Sequence, residues 1–331
     1  MMVVAFIFAL GSVLAAQADS VYELIVGRFL QGCGAIASAI MALVSDLTTE
    51  ENRTKAMASI GASIGLSFSL ALVLGPLLAA AGGLSLIFST TAFLALFGLL
   101  ILWRWVPSSN LQERRHREAG AVPELFWGTL QNRELLRLNL GIFVLHACLM
   151  ASFLVLPTIL EVNLGFERSV HWVIYLPLLL AAFVVMLPFI IVAEKRRQIK
   201  PIFLIAVAIL MFALILQWGL QIWFPYSSVA ILLAVFLFFV AFNLLEAALP
   251  SLVSKIAPAG SKGTAMGLYS TCQFLGAFLG GVVGGAVLQG FGAEAVYLLC
   301  ADLALFWLIV AVAMRPPSFL TGVFISLDGC D

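Results

Sequence analysis

The stretch PIFLIAVAILMFALILQWGLQIW, residues 201–223, decides the fold class, because none of its side chains is charged. About 20 consecutive apolar residues are enough for a helix to cross the hydrocarbon core of a bilayer. The whole chain has the same character: 63% of its 331 residues are hydrophobic and 10% are charged, with a mean hydropathy of +1.13. Water-soluble domains of this length do not reach such values. The sequence therefore predicts an all-α polytopic membrane protein.

Similar apolar segments recur along the chain, and we expect ten of them to be membrane spans. They are residues 1–16, 23–45, 56–79, 84–106, 138–160, 171–193, 201–223, 227–249, 264–289 and 295–314. The first segment ends in Ala16-Gln17-Ala18, which is typical of a signal-peptidase site. It has no basic residues before its apolar part, and this favours a membrane helix over a signal peptide.

Basic residues are distributed unevenly between the two predicted faces of the membrane. Of the seventeen Lys and Arg residues, fifteen fall on one side of the alternating topology, and only Arg28 and Arg168 fall on the other. The positive-inside rule assigns the fifteen-residue side to the cytoplasm. The sequence therefore predicts a cytoplasmic carboxyl terminus.

Net charge and cysteine spacing argue against two other classes of protein. The formal net charge is zero, so no overall basic field attracts nucleic acid. The five cysteines are scattered singly, without the close spacing of metal ligands or of a disulfide framework. We expect neither a metal site nor a nucleic-acid partner.

A polar stretch at residues 107–137 divides the chain. We expect an incomplete amino-terminal bundle of four spans at 1–106, a cytoplasmic linker at 107–137, a six-helix bundle at 138–315 and a tail at 316–331. Within the linker, Pro123 to Arg137 fits either an amphipathic helix on the inner membrane face or a solvated segment with basic anchors. The alternating apolar pattern of the tail predicts one strand.

The two predicted bundles share a short repeated pattern. Three residues of the first bundle recur in the second at a constant offset, each set opening a glycine-rich span after a cytoplasmic loop. The pairs are Ala56 with Ala265, Met57 with Met266 and Gly75 with Gly284. This pattern indicates duplicated halves, as in many secondary transporters.

Several motifs carry a resemblance to a known family. Leu24-x-x-x-Arg28-x-x-Gln31-Gly32-x-Gly34-Ala35 resembles the fourth-helix motif of the major facilitator superfamily, and Leu74-Gly75-Pro76 resembles its fifth-helix antiporter motif. The stretches SDLTTEENRTKAM, FFVAFNLLEAALPSLVSK and PAGSKGTAMGLYSTCQFLGAFLGG are similar to YajR-type proton-driven efflux proteins. The resemblance implies a twelve-helix transporter in two halves, of which family helices three to twelve are present, and a chain shortened at both ends. It also implies a bacterial inner (plasma) membrane location.

Polar residues inside the predicted spans are the candidates for proton coupling or for lining a cavity. An arginine at the bilayer centre costs roughly 2.5 to 3.5 kcal/mol on insertion scales, so Arg28 either faces a cavity or reaches the outer headgroups. Gln31 lies one turn further on the same helical face. The resemblance implies that Arg28 affects proton coupling. The full set of candidates is Arg28, Gln31, His146, Asn243, Glu246 and Gln273, and Tyr175 and Tyr269 are expected to touch substrate. The alternative for Glu246 is a salt-bridge residue at the cytoplasmic end of its helix, and the alternative for His146 is a hydrogen-bonded packing residue.

Two further sets of residues are predicted to serve conformational change and helix packing. The resemblance gives Asp46 a part in a charge network at the end of its helix; the alternative is a solvated loop aspartate. The candidates for the conformational switch are Asp46, Arg53, Gly75 and Pro76. Glycines four residues apart let helix backbones approach closely in lipid. The predicted packing set is Gly32, Gly34, Gly61, Gly65, Gly276, Gly280 and Gly284.

These observations favour a secondary active transporter, with proton-coupled efflux of small apolar or amphipathic compounds by alternating access. Its expected partners are membrane lipid, protons and a small-molecule substrate, with no cofactor beyond the proton gradient and a monomeric state. A transport-inactive remnant of such a transporter is the alternative. A membrane enzyme or channel would need a catalytic cluster or a filter motif, and the sequence offers neither.

Overall fold

The computed structural model describes residues 2–34, 40, 50–106, 123–196, 198–258 and 261–314, and the regular secondary structure in these ranges is helical. We number the α-helices of the described ranges in chain order. They are α1 (Met2–Ala16), α2 (Val21–Cys33), α3 (Glu50–Trp105), α4 (Pro123–Gln131), α5 (Arg133–Thr158), α6 (His171–Lys195), α7 (Ile199–Trp223), α8 (Ser228–Ile256), α9 (Lys262–Phe291) and α10 (Ala293–Val312). A π-helical turn, Ile159–Asn163, extends α5, and a 3-10 turn, Arg168–Val170, precedes α6.

Seven helical segments of the described residues are long and apolar enough to cross a membrane. The prediction of an all-α polytopic membrane protein is therefore confirmed. The segments are Val73–Trp105, Arg133–Asn163, Arg168–Ala193, Ile199–Trp223, Ser228–Ile256, Gly263–Phe291 and Ala293–Val312, and Met2–Ala16 is a shorter apolar helix.

The long helix α3 is interrupted where the sequence predicts a turn between two spans. At 1.5 Å per residue, its 56 residues would extend about 84 Å, far beyond a bilayer core of about 30 Å. The backbone leaves helical geometry at Gly82 and at Gly83, where φ is +65°. Only glycine adopts such a φ without strain. The helix continues through Pro76, so the break lies at the paired glycines and not at Gly75-Pro76.

Helix α5 begins at Arg133, five residues before the predicted span at 138. The side chain of Asn132 accepts hydrogen bonds from the backbone N–H groups of Glu134 and Leu135, at 3.0 and 3.2 Å. Such an N-cap sets the first residue of a helix, whereas hydropathy marks only the part that suits lipid. Part of the predicted linker is thus helical, as α4 and the first turn of α5.

The chain forms two compact units. The first comprises Met1–Gly120 with Gly165–Pro177, and the second comprises Ala121–Leu164 with Leu178–Asp331. In the first unit, α1 packs against both α2 and α3. The hydroxyl of Ser85 on α3 donates a hydrogen bond to the carbonyl oxygen of Ala16 at the end of α1, at 2.7 Å.

In the second unit, the most extensive packing is between α5 and α9, and α10 packs against α7 and α5. Three glycines of α9 lie directly against α5. A Cβ added at Gly276 would stand 2.8 Å from the Cα of Phe143, one at Gly280 would stand 2.5 Å from the Cα of Ala147, and one at Gly284 would stand 2.8 Å from the Cβ of Ala151. Both sets of residues repeat every four positions, so one stripe of α9 faces one stripe of α5.

The end of α10 is fixed by two basic side chains from other helices of the second unit. Arg137 donates to the carbonyl oxygen of Ala313 at 2.8 Å, and Lys200 donates to that of Val312 at 3.2 Å. The last carbonyl groups of a helix have no partner within it and attract cations. These contacts bring the beginnings of α5 and α7 to the end of α10.

Candidate functional site

Three polar side chains from three helices of the second unit meet in one cluster. The side-chain Nε2 of Gln273 on α9 lies 2.9 Å from His146 Nε2 on α5 and 3.1 Å from Glu246 Oε1 on α8. His146 Nε2 is also 3.9 Å from Glu246 Oε2. We call His146, Glu246 and Gln273 the histidine–glutamate cluster. All three were predicted as separate candidates, and the structure brings them together.

The histidine–glutamate cluster lies deep within its helices. His146 is thirteen residues from the first residue of α5, Glu246 is ten from the last residue of α8, and Gln273 is eleven from the first residue of α9. At 1.5 Å per residue, these separations correspond to about 15 to 20 Å. The three residues thus lie at a similar depth, within the apolar part of each helix.

The surroundings of the cluster are aromatic and mostly closed to solvent. The side chain of His146 is 13% exposed and that of Glu246 is 32% exposed. The imidazole ring lies 5.7 Å from the ring of Phe242, between centroids. Within the described part of the chain, Glu246 Oε2 and the buried hydroxyl of Tyr269 have no hydrogen-bond partner. A carboxyl group and an imidazole in contact with each other can together take up and release a proton.

A second polar network joins helices of the first unit. Arg28 Nη1 donates to Gln31 Oε1 at 2.7 Å, and Gln31 Nε2 donates to the hydroxyl of Ser12 on α1 at 2.7 Å. The Ser12 hydroxyl in turn donates to the carbonyl oxygen of Phe8 at 2.8 Å. The guanidinium carbon of Arg28 lies 5.9 Å from the centre of the Phe88 ring, within the range of a cation–π contact. Arg28 is exposed in the described structure, whereas Gln31 is buried.

A family model described as "Major Facilitator Superfamily" matches residues 1–281 and 195–323. This chain belongs to the Major Facilitator Superfamily.

The curated relatives of this superfamily chain are transporters. It is 46% identical to "Inner membrane transport protein YajR" of Escherichia coli K12, over 97% of this chain and 69% of that protein. It is 32% identical to an "Uncharacterized transporter" of Buchnera aphidicola subsp. Baizongia pistaciae, over 92% of this chain and 77% of that protein. The resemblance inferred from the sequence motifs is therefore confirmed.

A solved structure has the same fold as this superfamily member. The crystal structure of the human organic anion transporter MFSD10 (TETRAN) matches 94% of this chain and 76% of that protein's chain, with a TM-score of 0.66 and 21% identity. At this level of identity the match shows the fold alone. The seven apolar spans of the described residues agree with that fold.

The remaining candidates of this superfamily chain take varied positions. Asn243 is half-buried one turn before Glu246 on α8 and is not among the hydrogen-bonded members of the cluster. Gly34 lies against Phe8 of α1, whereas a Cβ at Gly32 or at Gly75 would meet nothing within 4 Å. Asp46 and the predicted tail strand lie outside the described residues. For Arg53, Gly61 and Gly65 the structure describes the helical backbone only.

Ser12, Ser152 and Gln217 are buried polar residues that were not predicted from the sequence. Ser12 links α1 to the Arg28 network, although a single serine in an apolar helix has no pattern that marks it. Ser152 and Gln217 line a small cavity of about 20 Å³ in the second unit, with aromatic walls that include Phe238 and Tyr297. Within the described residues, Ser152 Oγ and Gln217 Oε1 have no hydrogen-bond partner. A cavity of this volume has room for one water molecule, which is the usual partner of buried polar groups that lack a protein partner.

Proposed function

We propose that this superfamily member exports small apolar or amphipathic compounds in exchange for protons, by alternating access between the two membrane faces. The observation that supports this proposal is the histidine–glutamate cluster, which holds two proton-binding side chains in contact inside membrane-spanning helices. Ionisable groups inside membrane spans usually mark proton or substrate pathways. The proposed energy source is the proton gradient across the membrane. We propose that the protein works as a monomer and without a bound cofactor.

The cluster supplies a simple basis for coupling. With Glu246 ionised and His146 neutral, the cluster carries one negative charge, and one added proton removes that charge. In a low-dielectric environment, losing this charge changes the free energy of each conformation of the protein by an amount that depends on how that conformation solvates the cluster. A proton therefore shifts the balance between two conformations when the cluster is solvated differently in each. Glu246 is the proposed proton carrier, and Arg28 is proposed to influence coupling from the first unit.

The proposed substrates follow from the apolar character of the spans. Ligand sites lined mostly by apolar and aromatic side chains, with a few polar groups, favour apolar and amphipathic compounds. Phe242 beside His146 and Tyr269 near Glu246 give the cluster such a lining. We include Tyr269 among the residues expected to touch substrate.

We propose further that the protein spans the bacterial inner membrane several times, with its carboxyl terminus in the cytoplasm. The name of the Escherichia coli relative supports the inner-membrane location. The excess of basic residues on one predicted face supports the orientation. Impermeant thiol labelling of single-cysteine variants would test it. Arg196→Cys should be protected in intact cells and Tyr226→Cys should be labelled. Labelling of Arg196→Cys from outside would refute the orientation.

Transport by the purified chain in proteoliposomes tests the function. With a lumen more acidic than the outside, molecules oriented with their cytoplasmic face outward should accumulate ethidium in the lumen. We expect Glu246→Gln to abolish gradient-driven accumulation, because the amide cannot release a proton, and Arg28→Ala to weaken it. Glu294→Gln is the matched control, since Glu294 is an exposed carboxyl at the start of α10.

Two outcomes would contradict the proposal. Full gradient-driven transport by Glu246→Gln would show that the proton is carried elsewhere. If the unmodified chain moves neither ethidium nor the neutral dye Nile red under any imposed gradient, the transport-inactive alternative replaces the proposal.

A further inference from the structure

The contacts around His146 favour one of its two neutral tautomers. His146 Nδ1 lies 3.3 Å from the carbonyl oxygen of Ile142, one turn earlier on α5. A carbonyl oxygen only accepts hydrogen bonds, so Nδ1 carries the hydrogen. On the other side of the ring, Nε2 faces the amide nitrogen of Gln273 at 2.9 Å. An amide NH2 group only donates, so Nε2 accepts. The arrangement corresponds to the neutral Nδ1–H tautomer.

Gln273 uses its two amide hydrogens for two different partners. One is donated to His146 Nε2 and the other to Glu246 Oε1, at 2.9 and 3.1 Å. The amide therefore joins α9 to both α5 and α8 while the ring is neutral. When His146 binds a proton, Nε2 becomes a donor and would face the donating NH2 group, which removes this hydrogen bond.

We propose that Gln273 is the positioning residue of the histidine–glutamate cluster: it selects the Nδ1–H tautomer of His146 and turns its amide over when the ring is protonated. After the turn, Gln273 Oε1 accepts from Nε2–H, and Glu246 loses its amide donor. Glu246 Oε2, which is 3.9 Å from Nε2 and lacks a hydrogen-bond partner in the described structure, then becomes the ionic partner of the ring.

The step balances with one proton and without other reactants. The proton adds to the lone pair of Nε2, and only hydrogen bonds are exchanged. The link from α8 to α9 is replaced by an ionic contact from α8 to α5. The exchange places the ring proton beside Glu246, the proposed carrier, which can then receive it from Nε2. The inference that this exchange couples protonation to transport rests on the proposed function, whereas the tautomer of His146 does not.

Other titratable groups lie on the helices that pack around the ring. From α8, the titratable group that faces His146 is Glu246. On α9, Tyr269 lies one turn before Gln273, and Cys272 is its neighbour in sequence. On the far side of α5, the thiol of Cys148 donates to the carbonyl oxygen of Cys300 on α10, at 3.5 Å. The Ile142 carbonyl holds Nδ1, so Nε2 is the nitrogen available for proton uptake.

Nitrogen-15 solid-state NMR of the full chain in lipid, labelled on histidine, tests the proposal directly. The chain has three histidines, and a His146→Asn sample identifies the signal that belongs to His146. At alkaline pH we expect the unmodified chain to show the Nδ1–H tautomer. In Gln273→Met, which keeps the side-chain length, the ratio of Nδ1–H to Nε2–H should fall about tenfold, because Nε2–H can then donate to Glu246.

Two variants serve as controls for this measurement. Gln289→Met changes an exposed glutamine of the same helix and should leave the tautomer ratio unchanged. Glu246→Gln keeps an oxygen that accepts from Gln273, so the Nδ1–H tautomer should persist. An Nε2–H tautomer in the unmodified chain, or an unchanged ratio in Gln273→Met, would overturn the proposal.

A second measurement uses the unmodified chain, so it tests the proposal even if Gln273→Met does not fold. In chain labelled on histidine and glutamine, the distance from His146 Nε2 to the Gln273 amide nitrogen should lengthen from 2.9 Å on acidification, because the amide oxygen replaces the nitrogen. An unchanged distance with a protonated ring would refute the turn. These readouts do not depend on transport, so a failed dye assay with the expected spectra would refute the proposed function alone.

Discussion

Substituting Gly280 by alanine tests the packing that holds α5 and α9 in register. The added Cβ would stand 2.5 Å from the Cα of Ala147 and also against its carbonyl oxygen. These are backbone atoms, so no rotamer change relieves the contact, and the helices must separate by about 1 Å to reach ordinary van der Waals distance. Overpacking of this kind costs about 1 to 3 kcal/mol.

The neighbouring position provides a matched control. A Cβ at Gly281, the next residue of α9, would meet nothing within 4 Å. Alanine there should leave stability unchanged or raise it by up to about 1 kcal/mol, because glycine is the poorer helix former. We therefore expect the free energies of unfolding of the two variants to differ by about 1 to 4 kcal/mol.

Reversible unfolding in mixed micelles with increasing sodium dodecyl sulfate, followed by circular dichroism, measures this difference. The separation of α5 from α9 should also lengthen the contact between His146 and Gln273, so the Gly280 variant should lose the Nδ1–H tautomer. Equal unfolding free energies for the Gly280 and Gly281 variants would refute the close-packed interface.

Three further substitutions should destabilise the protein, each measured by the same unfolding experiment. Ser12→Ala should cost about 1 to 3 kcal/mol, because the buried amide of Gln31 loses its acceptor; no loss would mean that the amide finds another partner. Arg137→Ala should cost about 1 kcal/mol through the lost contact with the last turn of α10, and the loss should shrink at high salt. Gly83→Ala should cost about 1 to 2 kcal/mol, because φ is +65° there, whereas Gly98→Ala in an open helical position should not.

Hydropathy was sufficient to predict the architecture but not the limits of its helices. Lipid selects long apolar segments, and this signal is strong over residues 201–223 or 227–249. Helix α5 nevertheless starts at Arg133, because Asn132 caps it there and polar residues of a first turn lie beyond the reach of a hydropathy window. The break in α3 lies at Gly82 and Gly83, where the glycine pair marks a predicted turn.

The sequence was sufficient to predict which residues belong to the candidate site, but not which of them contact one another. Helical spacing places Asn243 and Glu246, one turn apart, on one face of α8. Spacing along one helix tells which residues share a face, but not which faces meet. Gln273 completes the cluster from a third helix, and its contacts depend on the register of α9 against α5. Ser12 was missed for the same reason, since its partner lies on a neighbouring helix.

The two cations at the end of α10 have a mechanical consequence. Arg137 on α5 and Lys200 on α7 donate hydrogen bonds to the last carbonyl groups of that helix. The end of α10, up to Met314, is therefore held to the second unit by hydrogen bonds and is not expected to fray. In the proposed transport cycle, a spin label or fluorophore attached at Met314 would therefore report the motion of the second unit.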